Sequence, residues 1–147
     1  MTSVLAVCTS EKKGTVKTPV PEIVIKEGFG VVGDAHADCA THRQVSLLAN
    51  ESVDKMRGKG YKLDFGVFAE NINTEGIDLC SLPIGTRFNI GEEVVLELTQ
   101  IGKECHKGCA IRDLVGDCIM PREGIFTKVI RGGRVKPGDI IKITKQT

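Results

Sequence analysis

The strongest chemical cluster in the sequence is a group of cysteines and basic side chains in the last third of the chain. Cys105 and Cys109 enclose His106-Lys107-Gly108, Lys103 precedes them, and Cys118 follows. Positive charge close to a thiol favours the thiolate, which is the form that attacks electrophiles and binds soft metals. A reduced cysteine can equally pack as a small apolar side chain. The cluster predicts a nucleophilic or metal-binding role for at least one of its thiols.

A second group of ligand-type side chains lies earlier in the chain. His36, Cys39 and His42 are spaced three residues apart, and imidazoles with a thiolate are typical ligands of zinc. A structural zinc site needs four ligands, and this group supplies three. Zinc binding therefore stays an alternative to a polar loop that carries two solvated histidines.

Two further motifs favour plain structural interpretations. Gly28-Phe29-Gly30-Val31-Val32-Gly33 matches the glycine pattern of dinucleotide-binding sites, but no helical periodicity follows its third glycine, where that chemistry needs a helix N-terminus. The motif instead predicts a glycine-rich connection between strands. Glu70 and Asn71 place a carboxylate beside an amide, and neighbours on a strand point to opposite faces unless a bulge intervenes. From these residues alone we expect a polar loop before a strand.

Size and charge narrow the classes of function. The 147 residues suffice for one domain, which we expect to span residues 1–147. The 20 Lys and Arg residues against 19 Asp and Glu residues leave a net charge of +1, which argues against a nucleic-acid binder. No apolar run approaches the ~20 residues needed to cross a bilayer, and no basic region marks a secretion signal. We expect a soluble, cytoplasmic protein whose six cysteines are reduced thiols or ligands.

The elements that must position these residues are mostly short strands. The chain is poor in aromatic residues, at 4%, and rich in glycine, with 17, so Val, Ile and Leu must form the core and turns must be frequent. One brief helix is predicted over 51–60, with Asn50 as its N-cap. Strands are predicted over 3–8, 21–26, 43–48, 86–90, 93–100 and 140–144. This pattern predicts a single β-barrel-like domain with one or two short helices.

Several stretches together closely resemble the MOSC domain, which forms the C-terminus of molybdenum cofactor sulfurases and also occurs as small stand-alone bacterial proteins. They run in the family's order from about residue 4 to residue 143. The stretches are Gly33-Asp34-Ala35-His36, His42-Arg43-Gln44-Val45-Ser46-Leu47, Phe68-Ala69-Glu70-Asn71-Ile72, Leu82-Pro83-Ile84-Gly85-Thr86, Cys105 and Lys136-Pro137-Gly138-Asp139. The resemblance implies a mainly β, barrel-like MOSC fold with a few short helices.

The resemblance also implies a role in molybdenum cofactor chemistry. Sulfurase members of the family pass sulfur to the cofactor, and the related mitochondrial amidoxime reducing component holds molybdenum through a cysteine of this domain. The family's functional cysteine matches Cys105, with Cys109 as the near alternative, so Cys105 is the expected metal ligand or persulfide carrier. The expected cofactor is molybdopterin or molybdenum itself, and no pyridoxal phosphate site is expected in this chain.

The same resemblance implies which residues line the pocket. Asp34, His36 and Arg43 match its polar positions, Glu70 and Asn71 match its acidic–amide pair, and Lys103 adds a basic side chain near Cys105. The planar fork of Arg43 suits a phosphate or another oxyanion, and His36 suits proton transfer.

Two functional hypotheses follow from this assignment. In the first, the protein carries or transfers sulfur, in the manner of a transferase, together with a partner cysteine desulfurase or a molybdoenzyme client. In the second, it is a non-catalytic module that binds and delivers molybdate, tungstate or the finished cofactor. Nothing in the sequence indicates a flavin, haem or iron–sulfur site for an independent reductase, and no nucleic-acid or membrane partner is expected.

Overall fold

Strands dominate the chain. The computed structural model describes residues 2–11, 16–35, 37–58, 60, 65–102 and 124–144. Within these ranges there is one α-helix, α1 (Asn50–Arg57), and one 3-10 turn, Leu79–Ser81. The strands are β1 (Ser3–Thr9), β2 (Thr18–Val20), β3 (Ile23–Lys26), β4 (Gly30–Val31), β5 (Val45–Ala49), β6 (Ile72–Glu75), β7 (Arg87–Ile90), β8 (Val94–Ile101), β9 (Ile125–Arg131), β10 (Gly133–Val135) and β11 (Ile141–Thr144). The mainly β fold class is confirmed.

Eight of the strands form one sheet in the order β11-β7-β8-β9-β5-β6-β1-β2, and β10-β3-β4 form a second, smaller sheet. Neighbours pair antiparallel except β5 and β6, which run parallel. A parallel pair needs a crossover, and α1 lies within this one. A single bridge between Ser3 and Ile140 brings the first and last strands together. The described strands nevertheless form no closed barrel.

Aliphatic side chains fill the interior, as the low aromatic content predicts. Leu47, Leu96, Leu98 and Ile125 come from three adjacent strands and are fully buried. Burying one such side chain contributes about 1.5–3 kcal/mol. A smaller cluster beneath α1 joins Leu48, Val53, Met56, Phe68 and Phe126. No helix in the described ranges is long and apolar enough to span a membrane.

All six strands predicted from the sequence are present, with bounds shifted by one or two residues. The predicted N-cap of α1 is wrong, because Asn50 is already helical and Ala49 occupies the cap position without a side-chain bond. The amide oxygen of Asn50 instead accepts a hydrogen bond of 2.8 Å from Nη1 of Arg57, about two turns further along the same face of the helix. The sequence pattern did not single out β2, β4, β6, β9 or β10.

The glycine-rich stretch forms the turn after β3, the short strand β4 and the turn that follows it, so it connects strands as predicted. Gly28 has φ +65° and Gly30 has φ +130°, a region that residues with a Cβ rarely adopt. A Cβ on Gly30 would lie 2.5 Å from the carbonyl oxygen of Gln44. This close approach brings the β3–β4 turn against the segment that leads into β5.

Candidate functional site

Arg43 lies on the surface, immediately before β5. Its guanidinium carbon is 5.8 Å from the centroid of the Phe126 ring, which is a cation–π distance. The neighbouring Gln44 is buried and fixes the backbone here. Its Oε1 accepts a 2.9 Å hydrogen bond from the backbone N–H of Val129, and its Nε2 donates one of 3.0 Å to the carbonyl of Thr41. The loop is therefore anchored while the guanidinium of Arg43 stays accessible.

His42 contacts the end of β8. Its Nδ1 is 2.9 Å from Oγ1 of Thr99, and the register of β8 against β9 shifts between Leu98 and Gln100. Such a bulge leaves one residue outside the regular ladder and redirects its side chain. Thr99 is that residue, and it ties the loop carrying His42 and Arg43 to β8.

The predicted thiols follow directly from this strand end. β8 ends at Ile101. The N–H of Gly102 donates a 2.7 Å hydrogen bond to the carbonyl of Gly124, the residue directly before β9. Lys103, Cys105 and Cys109 lie outside the described residues, as does His36. Cys105 follows Gly102 by three residues in the sequence.

Asp34 lies in a different environment, inside a buried polar cluster that we define as Cys8, Lys17, Asp34, Glu70 and Asn71. Its Oδ1 is 2.7 Å from Nζ of Lys17, and both side chains are 0% exposed. The same oxygen accepts a 2.9 Å hydrogen bond from the N–H of Ser10. Burial lowers the pKa of Lys17 below its usual range, and the hydrogen bond and charge of Asp34 oppose that shift.

Glu70 belongs to the same buried polar cluster. Its Oε1 accepts a 3.0 Å hydrogen bond from the N–H of Phe68, and its Oε2 accepts bonds from the N–H of Gly66 at 3.1 Å and from Nδ2 of Asn73 at 2.6 Å. Complete burial raises the pKa of the Glu70 carboxyl, and these hydrogen bonds oppose the shift. Ala69, at φ +65°, turns the chain just before it.

Asn71 uses its amide to join three segments of backbone. Its Oδ1 accepts a 3.1 Å hydrogen bond from the N–H of Ser46, and its Nδ2 donates one of 3.1 Å to the carbonyl of Cys8. Residues Glu70 and Asn71 do precede a strand, as the sequence predicts, but both are buried. Burial, together with the charge of Glu70, raises the pKa of the Cys8 thiol from 9.0 to about 12.

The structure thus brings Asp34 and Glu70 into one cluster through Lys17, whose charge interacts with both carboxyls, and places Arg43 on the surface. Sequence reasoning missed Lys17 and Cys8 in the cluster and Thr99 beside His42. No local pattern marks them, because their contacts join segments distant in sequence. The cofactor-binding roles of Asp34, Glu70 and Asn71 stay predictions.

These positions can be tested against the expected cofactor or metal. Arg43 offers an exposed cationic fork, which fits a phosphate or an oxyanion. The oxygens of Asp34, Glu70 and Asn71 described above already accept hydrogen bonds from within the chain, which fits a supporting role. Among the described residues, no three His, Cys, Asp or Glu side chains are grouped to hold a metal. The zinc alternative includes His36, which lies outside them, while Cys39 is exposed.

A separate cleft of about 530 Å³ lies between α1 and the turn after β6. Glu51, Lys55 and the half-buried Cys80 line it. Oε2 of Glu51 accepts a 2.9 Å hydrogen bond from the N–H of Gly76 across the cleft. None of the site residues predicted from the sequence lines this cleft.

Comparison with protein families decides the assignment. Residues 33–142, well over half of the chain, match the family model of the MOSC domain. The chain belongs to the MOSC domain family. This family is associated with the molybdenum cofactor, which confirms the resemblance and the general area of function. No curated protein matches the chain in sequence.

Solved structures share the fold of this MOSC domain. YuaD from Bacillus subtilis is 20% identical with a TM-score of 0.80, over 100% of this chain and 98% of that one. YiiM from Geobacillus stearothermophilus is 16% identical with a TM-score of 0.72, over 99% of this chain and 76% of that one. YiiM from Escherichia coli is 18% identical with a TM-score of 0.71, over 100% and 71%. At these identities the likeness establishes the fold.

Proposed function

We propose that this MOSC domain handles sulfur or molybdenum for the molybdenum cofactor, with Cys105 as the reactive thiol and Arg43 as the binding group for an anion. One observation supports the proposal: the Thr99–His42 contact holds the loop of exposed Arg43 against β8, and Cys105 follows the last residue of β8, Ile101, by four residues in the sequence. If the thiol of Cys105 lies near the guanidinium of Arg43, the pair would suit a ligand that combines soft sulfur chemistry with a phosphate.

Burial among the described cysteines supports this choice of thiol. Cys8 is fully buried, and its pKa of about 12 keeps it protonated at neutral pH, so it neither attacks sulfur donors nor binds soft metals. Cys39 is exposed but lies on a loop ahead of Arg43. Cys105 has Lys103, His106 and Lys107 as close sequence neighbours, and positive charge promotes the thiolate.

We further propose that the whole chain, residues 1–147, works as a single domain in the cytoplasm. The family match begins at residue 33, yet β1, which precedes it, pairs with both β2 and β6 inside the main sheet. Removing the residues before the match would therefore expose the edge of β6.

The proposed chemistry is a sulfur transfer between thiols. The Cys105 thiolate attacks the outer sulfur of a persulfide on a partner cysteine desulfurase, a new S–S bond forms on Cys105, and the donor cysteine leaves as a thiolate. Arg43 holds the anionic group of the acceptor close by. The metal-ligand role of Cys105 uses the same thiolate with no sulfur transfer.

Mass spectrometry of the intact protein tests the sulfur-carrying role. After incubation with a cysteine desulfurase and cysteine, the wild-type chain should gain the mass of one sulfur atom. Cys105→Ser should abolish that gain, while Cys39→Ser, which removes an exposed thiol, should retain it. Undiminished loading of Cys105→Ser would refute Cys105 as the carrier, and loss of loading in Cys109→Ser alone would move the role to Cys109.

A binding and delivery module is the second candidate, favoured by the exposed guanidinium of Arg43, which can bind an oxyanion without any thiol chemistry. Elemental analysis of protein from molybdenum-replete cells separates the two. Stoichiometric molybdenum or tungsten with no sulfur gain supports delivery. Stoichiometric zinc that is lost in His36→Ala and His42→Ala would overturn both candidates.

A further inference from the structure

One side of the sheet region formed by β11, β7, β8 and β9 carries charged side chains in register. Side chains along a strand alternate between the two faces of a sheet. Leu96 of β8 and Val129 of β9 belong to the core, so their neighbours Glu97 and Lys128, which pair with each other, lie on the outer face. Arg87 of β7 pairs with Glu97 from the other side and completes a row of three charged residues.

A second row runs beside the first. Asn89 of β7 pairs with Lys142 of β11 on one side and with Val95 of β8 on the other, and Val95 pairs with Arg131 of β9. Val95 follows the core residue Val94, so this row also faces outwards. We define the basic face by the charged residues of both rows and the valine between them, which are Arg87, Val95, Glu97, Lys128, Arg131 and Lys142.

The basic face concentrates positive charge that the chain as a whole does not carry. Four of its six residues are Lys or Arg and one is acidic, whereas the net charge of the whole chain is +1. The Glu97 side chain is only 11% exposed and lies 3.4 Å from Nε of Arg87 and 3.2 Å from Nζ of Lys128. These two cationic side chains are 36% and 45% exposed, and Arg131 and Lys142 are exposed as well. Solvent therefore meets mainly cations here.

The described elements next to the basic face lie beside it. α1 packs against β5 and β6, on the far side of β9, where Leu48 and Phe126 join its apolar side chains. Glu93, in the turn between β7 and β8, lies against Gly133 of β10. Within the described part of the chain, an approaching molecule therefore meets the two rows directly.

The chemistry of the basic face suits a protein better than a nucleic acid. Proteins hold a nucleic acid through cations that contact successive phosphates, with aromatic side chains stacked on the bases of single strands. Here Glu97 lies in the middle of one row, and none of the six residues is aromatic. Val95, half-buried between the cations of its row, adds an apolar contact of the kind that protein interfaces combine with arginine. A carboxylate-rich protein surface therefore complements this face.

The basic face continues into the loop that carries Arg43. On β9, Phe126 precedes Lys128 by two residues, and the guanidinium of Arg43 lies 5.8 Å from its ring. On β8, Thr99 contacts His42, the residue before Arg43. A protein docked on the basic face would therefore lie beside Arg43.

We propose that the basic face docks a carboxylate-rich surface of the protein that exchanges sulfur or molybdenum with this domain. Docking at this face rests on the proposed function in taking the loop of Arg43 as the place of exchange. Opposite charges on two proteins steer them towards each other and raise the rate of association, and salt screens this effect. The basic face orients the partner, and Arg43 then meets the anion that the partner brings or receives.

Amide NMR of the full chain, titrated with a short oligoglutamate peptide, tests the docking. The peptide should shift the backbone signals of β7, β8, β9 and β11, and its binding should weaken steeply towards about 1 M salt, where the Debye length is about 3 Å. The double variant Arg131→Glu/Lys142→Glu, which keeps both ion pairs of Glu97, should bind at least about tenfold more weakly, because two exposed cations become repulsive.

Arg134→Glu/Lys136→Glu is the matched control. Both residues are exposed and lie in or directly after β10, outside the basic face, and the net charge changes by the same amount. This variant should keep the wild-type affinity within about twofold, because salt screens distant charges. Equal losses in the two double variants, or a wild-type chain that binds no peptide or binds it elsewhere, would overturn the proposal. The wild-type results need no variant to fold.

An oligothymidylate of equal charge distinguishes the two classes of partner. It should bind more weakly than the peptide, and tighter binding at the same strands would overturn the proposal in favour of a nucleic acid. Sulfur loading of Cys105 is measured on separate samples. Expected peptide binding by a chain that gains no sulfur would refute only the sulfur-carrying role, and sulfur gain at Cys105 by a chain that binds no peptide would refute only the docking.

Discussion

The buried polar cluster and the segment that carries His42 and Arg43 both contain charged and polar side chains but are organised in opposite ways. In the cluster, the Asp34–Lys17 pair is 0% exposed, and the carboxylate of Glu70 accepts three hydrogen bonds from its own chain. On the surface, His42 and Arg43 are both exposed, with Nδ1 of His42 against the Thr99 hydroxyl and the Arg43 guanidinium over the Phe126 ring. Residue type alone does not separate a scaffold from a site, but burial and hydrogen bonding do.

The largest effect that can test this comparison comes from Lys17→Met. The variant keeps most of the side-chain volume but removes the ammonium from the buried carboxylate of Asp34, and a buried charge without its partner costs about 3–5 kcal/mol. Urea unfolding should show a loss of that size in the free energy of unfolding.

Lys128→Met is the matched control for Lys17→Met. Its Nζ lies 3.2 Å from Oε2 of Glu97, but the lysine side chain is 45% exposed. Exposed pairs contribute at most about 1 kcal/mol, so this variant should unfold almost as the wild type does. Equal losses for the two lysine variants would show that the Lys17–Asp34 pair does not act as a buried scaffold.

Alkaline pH provides a second way to sharpen the comparison, through Cys8. The unfolded thiol loses its proton near 9.0, whereas the folded one holds it to about 12. The contribution of the protonated Cys8 thiol to the free energy of unfolding is therefore complete below pH 9. It falls by about 1.4 kcal/mol per pH unit as the pH rises from 9 towards 12. Unfolding free energies of wild type and Cys8→Ala, compared from pH 8 to pH 11, should differ by that slope. If the two curves stay parallel over this pH range, the folded protein does not raise the pKa of the Cys8 thiol.

The smallest effect on stability is expected on the surface, for Arg43→Met. Losing an exposed cation–π contact costs about 0.5–1 kcal/mol, while phosphate binding should weaken at least about tenfold, because a charge-assisted hydrogen bond is lost. Arg134→Met, which removes an exposed arginine 3.7 Å from Glu22, should change neither quantity. A large loss of stability in Arg43→Met with unchanged phosphate binding would place Arg43 in the scaffold.

Local sequence patterns predicted the strands that alternate regularly and missed those that do not. In β7, β8 and β11 apolar and polar residues alternate, and glycine-containing turns flank these strands. The alternation and the turns together locate them in the sequence. β6 (Ile72–Glu75) has three consecutive buried residues, and its parallel pairing with β5 depends on a crossover that no local window contains. β9 (Ile125–Arg131) follows a stretch in which apolar residues show no clear periodicity, so the sequence does not indicate where the strand begins.

The candidate site was predictable as a set of residues but not as an arrangement. Arg43, Asp34 and Glu70 could be named from family-like motifs, yet the sequence does not show that Asp34 meets Lys17 inside the protein or that Thr99 meets His42 at a bulge. Each of these contacts joins residues at least 17 positions apart. Which polar side chain is buried and which is exposed is determined only by the folded sheet.

Native-state alkylation, read cysteine by cysteine in the mass spectrometer, tests the central claim most directly. A thiol with the proposed role must be reachable and ionised, so Cys105 should be modified at least as fast as the exposed Cys39 at neutral pH, and Cys8 should be modified only after unfolding. A Cys105 that is protected as fully as Cys8, or a Cys8 that reacts as fast as Cys39, would contradict the account.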